Sequence, residues 1–116
     1  MTAAISACAV RCDSWRLKLE LDDKQVAELA KVLDELKTER AQGAVDDRRT
    51  AAAFAEAVAA EKFDEAAVRE AASLRVKTAE RLRDAVGKAL GRIHAILTAE
   101  QRQGFSYLVR TGALTI

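Results

Sequence analysis

The residues best suited to chemistry in this sequence are two cysteines and one histidine. Cys8 and Cys12 are spaced Cys-x-x-x-Cys, which on a helix puts both thiols on one side, as two soft metal ligands. In an oxidising compartment they could instead form disulfides between chains, and the plain alternative is two small residues in an N-terminal arm. His94, the only histidine, follows Ile93 at the flank of an apolar stripe. A packing or surface role competes there with a role as metal ligand or pH sensor.

No other arrangement of side chains predicts catalysis. No serine or cysteine has a recognisable base partner, and His94 is too isolated to form a triad. The acidic pairs 22–23 and 46–47 stand at predicted helix starts, where the helix dipole favours negative charge. The sequence also has no glycine-rich phosphate loop. We therefore expect a protein that is not an enzyme and holds no cofactor, with zinc, copper, nickel or cobalt bound at the cysteines and His94 as the alternative.

The elements that position these residues are predicted to be helices throughout. The chain has 116 residues, of which 25 are alanine and none is proline, and aromatic residues make up only 4%. Alanine and leucine lose the least on entering a helix, so we predict one all-α domain. The 19 basic and 18 acidic residues are interleaved, which argues against a nucleic-acid partner. No segment is apolar over the length of a membrane span.

Two capping boxes mark helix starts. In the first, Asp22 caps free amides and Gln25 reaches back to the cap residue, directly after Leu21. The second repeats the pattern with Leu97, Thr98 as the cap, and Gln101. Each box predicts that a helix begins at that position.

Further signals divide the rest of the chain. We predict a first helix from the box to about Gln42, ended by Gly43, and a separate helix that starts at Val45-Asp46-Asp47 and runs to about Ala60. The longest helix is predicted at about 64–96, and a short one follows Thr98. A further short helix is expected within 7–19.

The predicted long helix has a consequence for assembly. Some 33 residues give a helix of roughly 50 Å, whereas a compact domain of this size is roughly 35 Å across. We therefore expect an elongated fold that associates with itself. Gly87 and Gly91 interrupt this helix at i, i+4, which predicts that another helix backbone passes close by. The basic residues of the same helix are interpreted as a solvated face with i, i+4 pairs, namely Arg69, Arg75, Arg81, Arg83 and Lys88.

The two copies of Leu-[Asp/Thr]-x-x-Gln, at 21–25 and 97–101, resemble the paired LTxxQ motifs of the Spy/CpxP family. Asp46-Asp47-Arg48-Arg49 and Lys62-Phe63-Asp64 follow in the same order, so the resemblance covers roughly residues 17–110. On this basis we divide the chain into an N-terminal arm or short helix at 1–20, a Spy/CpxP-like helical domain at 21–112, and a tail at 113–116.

The resemblance implies a bent α-hairpin of four to five helices that pairs into a curved homodimeric cradle. It implies a periplasmic envelope-stress protein, an expectation that rests on the family because the first ten residues do not have the pattern of a secretory signal. The protein would bind unfolded clients as an ATP-independent chaperone, or act as an adaptor for a membrane signalling partner. The alternative is a metal-responsive sensor like the relatives CnrX and ZraP.

Overall fold

The computed structural model describes residues 16–114, and every regular element among them is a helix. Helix α1 is Asp23–Ala59, α2 is Glu65–Ile96 and α3 is Ala99–Arg110, while residues 16–19 are also helical. The predicted all-α fold is confirmed, as is the long helix that was placed at about 64–96. The 37 residues of α1 and the 32 of α2 correspond to about 55 Å and about 48 Å of helix.

The predicted helix break at Gly43 is wrong, because α1 continues through it to Ala59. Gly43 is buried and faces α2, and a Cβ built on it would lie 3.3 Å from Leu82 Cδ1 and 3.5 Å from Thr78 Cγ2. The absent side chain therefore permits close packing of two helices rather than ending one. Tertiary contact outweighs the cost of glycine in a helix interior, about 1 kcal/mol relative to alanine.

The described residues form two compact units, to which α1 and α2 both contribute. The terminal unit comprises the residues up to Leu36 and those from Val86 onward. Its core is aliphatic: the largest fully buried side chains include Leu29, Val32 and Ile93, and the other buried apolar residues are Leu19, Leu21, Leu36, Ala89, Leu97 and Leu114. Burial of such side chains is the main source of its stability.

The loop unit comprises Lys37–Ala85, the end of α1, the start of α2 and their connection. Its buried apolar side chains are only those of Ala57 and Ala71, whereas three buried residues are polar: Asp46, Thr50 and Thr78. The two helices of this unit are thus joined through small residues and polar groups. The connection ends where Asp64 accepts a hydrogen bond from the Ala67 amide (3.0 Å) and so caps α2.

Candidate functional site

The two predicted capping boxes are both present in the terminal unit. At the start of α1, the Gln25 amide donates to Asp22 Oδ1 (2.8 Å) and the Asp22 amide donates to Gln25 Oε1 (3.0 Å). At the start of α3, the Gln101 amide donates to Thr98 Oγ1 (3.3 Å) and the Thr98 amide donates to Gln101 Oε1 (2.9 Å). Each box satisfies backbone donors that the first helical turn leaves free.

The two glutamines also bind each other, an arrangement we call the glutamine clasp. Gln25 Nε2 donates to Gln101 Oε1 (2.7 Å), and Gln101 Nε2 donates to Gln25 Oε1 (3.2 Å). The residues are 76 positions apart in sequence and partly buried in the structure. The clasp therefore joins the start of α1 directly to the start of α3.

The remaining donors of the clasp reach backbone carbonyls at two chain turns. Gln25 Nε2 also donates to the carbonyl of Ile96 at the end of α2 (3.0 Å). Gln101 Nε2 lies 3.3 Å from the carbonyls of both Leu19 and Glu20. Each Oε1 accepts one backbone and one side-chain bond, and each NH₂ serves at least two acceptors, so both side-chain amides are fully used. Only an amide has this combination of donors and acceptors at this length.

The clasp holds an unusual backbone turn. Glu20 has a φ of 55°, in the left-handed region that glycine normally occupies where a helix ends. The Leu21 amide bonds to the Arg16 carbonyl across this turn (3.1 Å), which is the pattern of a helix C-cap. A non-glycine residue in this conformation is strained. The bond from Gln101 to the Glu20 carbonyl is a contact that holds it there.

A second polar cluster, the polar seam, joins α1 to α2 within the loop unit. Asp46 is only 5% exposed, and its Oδ2 accepts bonds from Thr78 Oγ1 (3.0 Å) and Arg81 Nη2 (2.9 Å). Its Oδ1 accepts a bond from Gln42 Nε2 (3.2 Å). Arg81 Nε also donates to Glu39 Oε2 (3.1 Å). The carboxylate is thus paired and hydrogen-bonded on both oxygens, which is what a buried charge requires.

A further contact extends the seam by one turn. Arg75 Nε donates to the buried Thr50 Oγ1 (2.9 Å), and its guanidinium lies 5.1 Å from the centre of the Phe54 ring. Arg75 and Arg81 are exposed, as the interpretation of a solvated face expects, but they bind α1 instead of forming i, i+4 pairs. Arg69 fits it, since Arg69 pairs with Glu65 at i, i+4 (3.4 Å).

The seam alters the ionisation of its members. The hydrogen bond from Arg81 is the largest influence on Asp46 and lowers the pKa of that carboxyl below 3.8, and bonds from Thr78 and Gln42 act in the same direction. Burial raises the pKa and is the second-largest influence, but the Arg81, Thr78 and Gln42 bonds together outweigh it. The Asp46 hydrogen bond in turn raises the pKa of Arg81. Asp46 is thus held in its charged form.

The sequence missed this seam because its partners are far apart in the chain. Capping rules predict a helix start at Asp46, but it lies in the middle of α1, where its carboxylate bonds to Arg81 of α2. A signal was present: an acidic residue at i, i+3 from Gly43 falls on the helix face that packs against α2. Local capping rules consider only residues close in sequence and therefore do not detect a contact with another helix.

Of the three candidate metal ligands, only His94 lies among the described residues. His94 is exposed on α2, and its backbone carbonyl accepts a bond from Arg102 Nε (2.9 Å). Cys8 and Cys12 lie outside the residues that the structure describes. Within 16–114, no three histidine, cysteine or acidic side chains are grouped as a metal site. The same stretch contains no helix with the length and apolar character needed to cross a membrane.

The fold and the clasp together define a class: all-helical proteins in which two Leu-[Asp/Thr]-x-x-Gln motifs cap separate helices and bind one another through their glutamines. In the comparison with protein families, the model described as "LTXXQ motif family protein" matches residues 9–108. The chain belongs to the LTXXQ motif family. No curated protein and no solved structure matched the chain.

Proposed function

We propose that this protein is a periplasmic envelope-stress protein of the Spy/CpxP type, which binds unfolded or partner polypeptide without ATP, as a chaperone or adaptor. The observation that carries the proposal is its membership of the LTXXQ family over residues 9–108. The glutamine clasp supports it, since both motifs take part in one hydrogen-bonded structure at the chain turns of the terminal unit.

The loop unit exposes apolar side chains that a polypeptide could contact. Four large apolar side chains are exposed there, those of Val45, Val58, Phe63 and Val76. We propose that these side chains supply apolar contacts to a bound polypeptide. Phe63, in the connection between α1 and α2, is 63% exposed and is the largest of them.

We further propose that two copies pair through the outer face of α2 in the terminal unit. Gly87 and Gly91 are predicted to adjoin another helix, yet among the described residues no atom of another helix lies within 4 Å of a Cβ built on either one. Leu90, between them, is 40% exposed. Two glycines and a leucine form a face that a second helix backbone can approach closely, and a second copy of the chain is the proposed neighbour.

Suppression of client aggregation tests the proposed function. An enzyme that aggregates when heated is mixed with stoichiometric amounts of the full chain in the absence of ATP, and light scattering is followed. We expect scattering to fall as the protein is added. Unchanged scattering at every ratio would contradict a chaperone function.

A variant of the chain itself provides the control. Phe63→Ser removes an exposed apolar group at little cost to folding, because an exposed side chain contributes little to the core. We expect weaker suppression by Phe63→Ser than by Ala60→Ser, an exposed neighbour of small size. Equal suppression by both would show that the exposed apolar surface near the connection does not take part.

A further inference from the structure

The loop unit contains a groove between α1 and α2, which we call the loop groove. Its cavity volume is about 440 Å³. Its apolar lining is provided mainly by Ala53 on α1 and by Ala67, Ala71 and Leu74 on α2. The depression exists because three of these four side chains are single methyl groups, so the facing helices leave space that larger residues would fill. Its size is within the range of pockets that bind ligands, roughly 300–1,000 Å³.

The charges at the rim of the groove are arranged unevenly. Helices α1 and α2 are antiparallel here, since Asp46 bonds to Thr78 and Thr50 bonds to Arg75. Arg49 and Lys77, which both line the groove, therefore lie at about the same level on opposite walls. The one acidic lining residue, Glu70, is two turns away along α2, or roughly 10 Å. One end of the groove is thus cationic.

These two cations have no acidic partner within the described residues. Four arginines of α2 in this unit are engaged: Arg69 with Glu65, Arg75 with Thr50, Arg81 with Asp46 and Glu39, and Arg83 with Asp84. Among residues 16–114, neither Arg49 nor Lys77 forms an ion pair. Both are exposed and free to receive a carboxylate from another molecule.

We propose that the loop groove binds an aliphatic side chain of a polypeptide whose neighbouring carboxylate lies between Arg49 and Lys77. The methyl-lined floor selects the aliphatic group, and the paired cations select an acidic neighbour. The proposal rests on the proposed function, because it names the class of polypeptide segment preferred by a protein that binds polypeptide. Segments that combine leucine with glutamate or aspartate are the expected partners, and basic segments are disfavoured by Arg49 and Lys77.

The test uses the full chain and two fluorescein-labelled peptides. One contains leucine, serine and glutamate, and in the other each glutamate is replaced by lysine. Anisotropy titrations at low salt are expected to show tighter binding of the glutamate peptide. The double variant Arg49→Glu with Lys77→Glu is expected to weaken its binding roughly tenfold, because reversal turns two exposed attractions into repulsions.

Matched controls separate the groove from general charge. Arg48→Glu with Lys62→Glu makes the same change in net charge at exposed residues that do not line the groove. Ala53→Leu fills the groove, whereas Ala52→Leu adds the same bulk on an exposed site outside it. Circular dichroism melting confirms that each variant is folded. We expect only Arg49→Glu with Lys77→Glu and Ala53→Leu to bind the glutamate peptide more weakly than wild type.

The outcomes distinguish failure of the groove from failure of the function. The proposal is wrong if the groove variants bind the glutamate peptide as wild type does. It is also wrong if the control variants weaken binding as much as the groove variants do. Equal binding of the lysine peptide would also overturn it. Suppression of aggregation is measured in parallel for the wild type and both groove variants. If all three suppress aggregation, the proposed function holds but does not depend on the groove. If the wild type does not suppress aggregation, the proposed function itself is wrong.

Discussion

At the scale of single residues, the LTxxQ glutamine has three tasks that no other side chain combines. Gln101 caps α3 with its oxygen, accepts a bond from Gln25 with the same oxygen, and donates from its nitrogen to Gln25 and to two backbone carbonyls. Glutamate has the same shape and retains the acceptor, but once ionised it has no proton to donate. We therefore predict that position 101 requires an amide side chain for its donors, and not only an acceptor for helix capping.

Gln101→Glu is expected to lower the free energy of unfolding by about 1–3 kcal/mol, because the partly buried Leu19 carbonyl and Gln25 Oε1 lose their donor. The new carboxylate would lie beside carbonyl oxygens, which favours its protonated form. The loss is therefore expected to shrink as the pH falls. Urea denaturation followed by circular dichroism measures both effects, with Gln103→Glu as an exposed control on the same helix. A loss no larger than that of Gln103→Glu would contradict the clasp.

Asp46 gives a second prediction at this scale. Because its pKa is lower in the folded protein than in the unfolded chain, the unfolded state binds more protons near and below pH 3.8. The stabilisation is present above that pH and is lost as the pH falls through the folded-state pKa. Asp46→Asn is expected to be less stable than wild type at neutral pH, and the difference is expected to narrow in acid. Thermal melts across acidic pH check this, with the exposed Asp47→Asn as control. A stability difference between wild type and Asp46→Asn that stays constant at all pH values would contradict the lowered pKa of Asp46.

At the scale of elements, the starts and ends of the helices show how much of the fold local sequence predicts. The box of Thr98 and Gln101 could be predicted because cap and partner are three residues apart, and α3 begins immediately after Thr98. The clasp could not, because nothing local indicates that two capping residues 76 positions apart would meet. Likewise Gly43 reads as a helix end in isolation, and its role depends on Leu82 of α2. Contacts between distant segments account for what the sequence did not predict.

Gly43→Leu tests the packing of these two helices. A large side chain must displace Leu82 and Thr78, and overpacking of this kind costs about 1–3 kcal/mol. Ala44→Leu places the same group on an exposed position one residue on, where the change is expected to stay within about 0.5 kcal/mol. Chemical denaturation of both variants supplies the comparison. If Gly43→Leu proved as stable as wild type, α1 and α2 would not be in close contact at that level.

At the scale of the whole molecule, the proposed dimer explains a feature that one copy leaves without a partner. Gly87 and Gly91 lower helix stability, and within the described chain no contact compensates for them. A second helix at this face would give both glycines a function, and it would cover Leu90. The polypeptide-binding surface and the loop groove belong to the other unit, so pairing and binding involve different residues.

Gly91→Leu is expected to weaken the dimer by roughly tenfold or more, because added bulk at a close helix contact is costly. Gly91→Ala adds one methyl group and is expected to have a smaller effect. Sedimentation equilibrium gives the dissociation constants. In a protein that does not pair here, both changes would instead raise thermal stability by improving helix propensity, with no dependence on concentration.

Direct binding of an unfolded polypeptide is the measurement that tests the central claim. A reduced and carboxymethylated protein, which cannot refold, is labelled and titrated with the full chain without ATP, and its native form is titrated in parallel. We predict saturable binding of the unfolded form and none of the native form, with Arg49→Glu plus Lys77→Glu reducing the affinity. Absence of binding to the unfolded form, or equal binding to both forms, would contradict the proposal that this LTXXQ family protein recognises unfolded polypeptide.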